Sequence, residues 1–194
     1  AASGDTAVAI GYSCLASGTA SVALGRQATA NADYSLAMGG DRANARGIDG
    51  AVAFGFWQYQ RQRMFLGMYL QTYDATPVVA KSNSSAAGAA NQLIIPNESV
   101  YAVEAMVTAR HNSSGDCAAW KITAMVKRHT NAASTAVVGT PIKTLLGADT
   151  GAAAWDVAVS ADTTNGALKF TCTGDASRTT QWTIDTYSVQ AVFS

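Results

Sequence analysis

Charge is scarce in this sequence. Charged side chains make up 13% of its 194 residues, and 13 basic residues balance 13 acidic ones. The balance excludes the basic field that nucleic acid or an anionic lipid surface would need, so neither partner is expected. The scarcity has a second meaning. Globular chains usually carry about a quarter charged residues, and one this poor in them is expected to cover much of its surface with copies of itself. Long apolar runs are also missing. Nothing approaches the roughly 20 residues of a spanning helix, so no membrane insertion is expected. Cysteine is limited to Cys14, Cys117 and Cys172. An odd count without ligand spacing argues against zinc and against a disulfide framework, and three unpaired, buried thiols made in a reducing compartment are the expectation.

Catalytic signatures are absent as well. There is no GxSxG, phosphate loop, HExxH or EF-hand loop. His111 and His129 fall at strand ends, where a solvated role is expected. No pair of carboxylates is marked out for glycosidic chemistry. The expectation is a protein that is not an enzyme and uses no cofactor and no metal. The first residue is Ala1 and no leader is visible, so a processed or truncated chain is expected.

What is present begins with a repeat. Four units align: Ala7-Val8-Ala9-Ile10-Gly11, Ser21-Val22-Ala23-Leu24-Gly25, Ser35-Leu36-Ala37-Met38-Gly39 and Ala51-Val52-Ala53-Phe54-Gly55. Their glycines, at 11, 25, 39 and 55, step by 14, 14 and 16 residues. Weaker half-units lie between them at Ala16-Ser17-Gly18, Ala30-Asn31-Ala32 and Ala45-Arg46-Gly47. A coil of this length holds two short strands and two turns, with glycine at the turns tolerating positive φ. Alternation sends Ala9, Ala23, Ala37 and Ala53 inward, because so narrow a coil has little room beyond alanine. Val8, Val22, Leu36 and Val52 then form one outer column, and Ile10, Leu24, Met38 and Phe54 another. Eight such side chains, at roughly 1.5–3 kcal/mol each if buried, require a cover. Stacking hides strand edges and leaves the columns bare. A homotrimer is therefore expected, with these eight residues and Phe56 and Trp57 at its interface.

The repeat resembles the head repeat of trimeric autotransporter adhesins over roughly Asp5 to Gly55. The resemblance implies a left-handed parallel β-roll, three rolls side by side. Similar rolls also occur in phage tail fibres.

After the repeat, Phe56 to Leu70 reads as an aromatic neck in which Arg61 and Arg63 follow three aromatics, so the boundaries expected are a roll over 1–55, a neck over 56–69 and a β-domain over 70–194. In the β-domain the candidate strands are Met64–Tyr73, Val78–Lys81, Gln92–Ile95, Ser99–Arg110, Ala118–Arg128, Ala136–Leu146, Ala154–Ser160, Ala167–Cys172 and Thr180–Val192, separated by polar turns. The fold class expected is all-β: a short parallel β-roll followed by an antiparallel β-sandwich or jelly-roll-like domain. Trp120, Trp155 and Trp182 fall on apolar strand faces. Core packing is the first reading for them and a sugar-stacking platform the second.

The run Gly115 to Gly174 resembles a domain at the ends of tailed-phage tail fibres, through pieces such as Ala119-Trp120, Thr135 to Pro141, Gly151 to Trp155 and Val159 to Ala167. This implies a distal β-domain on a virion fibre that attaches to a bacterial surface polysaccharide or lipopolysaccharide. A trimeric adhesin would continue into a coiled-coil stalk, whereas Gln190 to Ser194 carry no heptads, so the fibre is preferred. A non-catalytic fragment of a capsule depolymerase is the third reading. Sugar contacts are expected on loops, at Arg110, His111, Asn112 and Asp116 or at Arg128 and His129, which offer donors and acceptors. A groove near Trp57 and Tyr59 is the alternative.

Overall fold

The computed structural model describes residues 1–56 and 62–192. The repeat forms β1 (Val8–Tyr12), β2 (Leu15–Ala16), β3 (Val22–Arg26), β4 (Thr29–Ala30), β5 (Leu36–Gly39) and β6 (Val52–Gly55). β1, β3, β5 and β6 pair in parallel, so Val8, Val22, Leu36 and Val52 stack, as do Ile10, Leu24, Met38 and Phe54. The half-units make the second row, in which β2 pairs with β4. The interior is lined by small side chains: Ala16, Ala23, Ala30 and Ala37 are fully buried. Ser21 and Ser35 close turns, each hydroxyl donating to a carbonyl three residues back at 2.7 Å.

The turns differ from expectation in one respect. The left-handed corner positions are held largely by residues with a Cβ: Thr6, Ala20 and Tyr34 at one corner, Ser13, Gln27 and Arg42 at another. Gly11, Gly25 and Gly39 have φ of 119° to 146°. They also answer a tighter demand. A Cβ on Gly25 would lie 2.0 Å from the carbonyl oxygen of Gly39 in the next coil. Glycine is required because the coils approach so closely.

The remaining strands are β7 (Gln62–Thr72), β8 (Val78–Val79), β9 (Leu93–Ile94), β10 (Ser99–His111), β11 (Cys117–Arg128), β12 (Ala136–Ala148), β13 (Asp156–Asp162), β14 (Ala167–Thr173) and β15 (Thr180–Val192). β7 pairs antiparallel with β6, Val52 opposite Phe65 and Phe54 opposite Arg63. One nine-stranded sheet thus runs β1-β3-β5-β6-β7-β15-β10-β11-β12. The smaller sheet is β13-β14-β8, with β9 also on β14. Between the two sheets lies the main core. Trp182 stacks on Trp120 at 5.7 Å and meets Trp155 at 5.9 Å. All three are buried with Tyr101, Phe170, Leu168 and Met68. The all-β class, with parallel stacking followed by antiparallel sheets, is as the sequence predicts. The tryptophans are core, and the platform reading for them is withdrawn.

The roll's end is fitted to this sheet by side chains that imitate backbone. Buried Gln62 accepts from the Asn44 N–H (3.0 Å) and donates to the Asn44 carbonyl (2.9 Å). Arg46 donates to Gln190. A coil that has no next coil above it finds its hydrogen bonds here. At the other extreme β12 is an edge strand. Pro141, which has no N–H to offer, and a bulge opposite Thr123 and Met125 blunt that edge.

Candidate functional site

The outward face of the nine-stranded sheet comes directly from register. Across β6, β7, β15, β10, β11 and β12, one row reads Val52, Phe65, Tyr187, Glu104, Thr123, Ile142. The next reads Phe54, Arg63, Val189, Ala102, Met125, Val138. These rows continue the two columns of the roll. Phe54 meets Phe65 edge-on at 6.0 Å, and Phe65 meets Tyr187 at 5.1 Å. Ile10 is 62% exposed and Ile142, at the far end, 66%. Val8 is also exposed, and Val22, Leu24, Leu36, Met38, Val52 and Phe54 are half-buried. Phe56 is exposed beneath the Arg63 guanidinium, 5.4 Å from its ring centre. Trp57, Tyr59 and Arg61 lie outside the described residues.

The six loop residues fall into two groups at opposite ends of β11, on the order of 35 Å apart at strand rise. At the first end, Arg110 and Asn112 are exposed but His111 is buried, which corrects its solvated reading. The Ser114 N–H donates to His111 Nδ1 (3.1 Å), and Ser114 Oγ donates to Asp116 Oδ2 (2.5 Å). Asp116 also accepts from Arg178 Nη1 at 2.9 Å, and the same nitrogen donates to the Gly151 carbonyl. The Ser114 hydroxyl foremost, then the Arg178 guanidinium, hold the Asp116 carboxyl below its usual range. Histidine, serine and aspartate meet here, but serine stands in the middle. Activating a serine nucleophile needs the imidazole between hydroxyl and carboxylate. This order instead clamps three loops together.

At the other end, Arg128 donates to the Ile95 carbonyl (2.9 Å), and His129 is exposed with Nδ1 2.7 Å from Glu98 Oε2. Asp116 and Arg128 are therefore occupied in holding loops, while the exposed side chains of Arg110 and Asn112 make no hydrogen bond or ion pair among the described residues. The thiols divide too. Cys14 and Cys172 are buried, and all three are unpaired, but Cys117 is exposed. Its position as the first, outward-facing residue of β11 is the reason. Its Sγ lies 3.3 Å from Asp149 Oδ2, and that carboxylate raises its pKa.

A site the sequence reading passed over lies on the outward face of β7. Tyr69 and Tyr73 are 52% and 65% exposed. With Gln71, Gln181, Thr183, Val78, Lys81 and Asn83 they line an open hollow. The sequence signal was the even spacing of Phe65, Tyr69 and Tyr73: it puts the first two on one face of β7, and Tyr73 follows at the bend just past Thr72. Among the described residues no group of three or more His, Cys, Asp or Glu side chains could hold a metal ion, and no helix is long and apolar enough to cross a membrane.

Comparison with known proteins gives a partial placement. No curated protein matches the chain in sequence. Among solved structures, the tailspike protein gp49 of Acinetobacter baumannii bacteriophage Fri1, a capsular polysaccharide depolymerase, matches at 10% identity and a TM-score of 0.39, over 92% of this chain and 33% of that one. The tailspike of Acinetobacter baumannii phage AM24 matches at 8% identity and a TM-score of 0.33, over 90% of this chain and 36% of that one. This chain thus spans about a third of the length of either. The YadA head domain repeat family matches residues 16–41, in two copies, so the parallel coils are similar to that repeat.

Proposed function

We propose that this chain is the distal, receptor-binding part of a bacteriophage tail fibre. It is a homotrimer in the virion, and it recognises a bacterial surface polysaccharide or lipopolysaccharide without cleaving it. The observation that carries this reading is the pair of apolar columns on the roll, whose rows run on across the antiparallel strands to β12 with Phe65, Val189, Met125 and Ile142 set among Arg63 and Glu104. A face of that length demands a cover, and a flat apolar strip on a stack of coils is suited to three-fold closure. The YadA-like repeat favours a second reading, a bacterial trimeric adhesin head, which needs the same assembly.

Two measurements test this. Light scattering at micromolar concentration should give a trimer, and Val22→Asp with Leu24→Asp should abolish it by placing unpaired charge in the interface, a cost of several kcal/mol. A wild-type monomer sinks the assembly. The trimer should also adsorb to bacterial cells and leave their purified polysaccharide at full length. Shorter oligosaccharides after incubation would show a depolymerase instead.

A further inference from the structure

The tyrosine hollow does not stand alone. Gln181 and Thr183 also line a second hollow, which runs on past Thr108, Arg110 and Cys117 to Asp149. The two join into a trough crossing β7, β15, β10, β11 and β12 at one side of the sheet. Four strand spacings make it about 19 Å long, which suits several linked sugar rings better than a single one.

We propose that this trough binds a stretch of acidic polysaccharide, with sugar rings stacked on Tyr69 and Tyr73 and a sugar carboxylate met by Arg110. The inference rests on the polysaccharide reading above and gives that reading its residues. Four observations carry it. First, the aromatic rings are exposed where the surface is concave, and a tyrosine ring offers an apolar face for the C–H side of a pyranose. Second, polar groups stand beside the rings. Gln71 faces Gln181 and Tyr69 faces Thr183 across the β7–β15 ladder. The Tyr73 hydroxyl donates to Gln71 Oε1 at 2.8 Å, which leaves the Gln71 amide nitrogen to donate to a ligand hydroxyl.

Third, the wall is built before any ligand arrives. Lys81 and Tyr69 exchange backbone hydrogen bonds. Asn83 donates to Asp49 and accepts from the Ser85 N–H and from Asn91 Nδ2. A preformed wall reduces the ordering cost of binding. Fourth, the charge has a sign. Neither Arg110 nor Lys81 has an ion-pair partner among the described residues. The Lys81 ammonium donates to the Ser85 carbonyl at 2.6 Å, and the Asp149 carboxylate at the far end accepts from the Cys117 N–H at 3.0 Å, so two cations stand against one anion along the lining. The trough lies beside the rows that continue the roll's columns and not on them, Tyr69 being four residues, or about 13 Å, along β7 from Phe65.

The test uses the full-length trimer against purified acidic capsular polysaccharides and uncharged dextran, by titration at two salt concentrations. Wild type should bind at least one acidic polysaccharide. Tyr69→Ala and Tyr73→Ala should each weaken it by about tenfold, the loss of one aromatic contact. Arg110→Gln should weaken it and flatten its salt dependence. Tyr34→Ala, an equally exposed tyrosine on the roll, should bind as wild type. Wild-type binding that survives the Tyr69→Ala, Tyr73→Ala double variant overturns the trough and leaves the polysaccharide reading standing. So does equal weakening by Tyr34→Ala. A trimer that binds no polysaccharide removes both.

Discussion

The roll and the antiparallel part share one sheet yet place their residues in opposite ways. In the roll, alanines are fully buried while Ile10 and Tyr12 are 62% and 68% exposed. In the antiparallel part, Trp182, Phe170 and Tyr101 are inside, and Glu104, Lys121 and Asp185 face outward. Interior width explains the inversion. A single coil folds back on itself within two short strands and a turn, leaving space for methyl groups. Two sheets packed about 10 Å apart have space for indoles. The roll therefore gains little from its own core and relies on backbone ladders and on whatever covers its columns. The antiparallel part carries its stability inside. Yet the register of the two outer columns passes from one to the other, Val52 to Phe65 and Phe54 to Arg63, and charge enters the rows only on the antiparallel strands.

Substitutions can sharpen that contrast. The largest effect is expected in the indole stack. Trp182→Ala removes the ring held between Trp120 and Trp155 and leaves Thr72 Oγ1 without its donor, and should cost about 3–5 kcal/mol in denaturant unfolding. Retained cooperativity at wild-type midpoint would show that the core does not depend on it. Next comes the roll. Gly25→Ala drives a methyl group against the Gly39 carbonyl at a φ of 122°. Strain and overpacking together predict a loss of about 2–4 kcal/mol. Hydrogen exchange should rise at β1, β3 and β5 before it rises at β10. Equal loosening throughout would mean that the two halves unfold as one unit.

The smallest effect is chemical. In the native protein Cys117 should react with a thiol reagent, and Cys14 and Cys172 should react only after unfolding. Because the Asp149 carboxylate holds the Cys117 pKa up, Asp149→Asn should lower it and speed modification at pH 7. Faster reaction of a buried thiol would contradict the burial. The sign for Asp116 is the reverse. Its carboxyl is held below the usual value, so its clamp on Arg178 is complete above the unfolded carboxyl pKa of about 3.9 and is lost as pH falls through the folded one. Exchange at Gly151 and Ala152 should quicken in that acid window alone.

Much of this molecule was written in the order of its residues. The glycine spacing set the coil length, and strict alternation set which residues face out, because side chains in a strand have a period of two. That is why both outer columns and nearly all the strands of the antiparallel part were legible. Other features depended on what came near what. Cys117 is exposed and His111 buried because of where β11 begins and how the Ser114–Asp116 turn folds back. Arg128 is spent on the Ile95 carbonyl, more than thirty residues away in sequence. The trough joins Tyr69 to Gln181 and Arg110 only because β7, β15 and β10 are neighbours in the sheet. Local pattern fixes the direction of a side chain, since backbone geometry repeats along each strand. The company that side chain keeps depends on strand order, and only the folded sheet determines that.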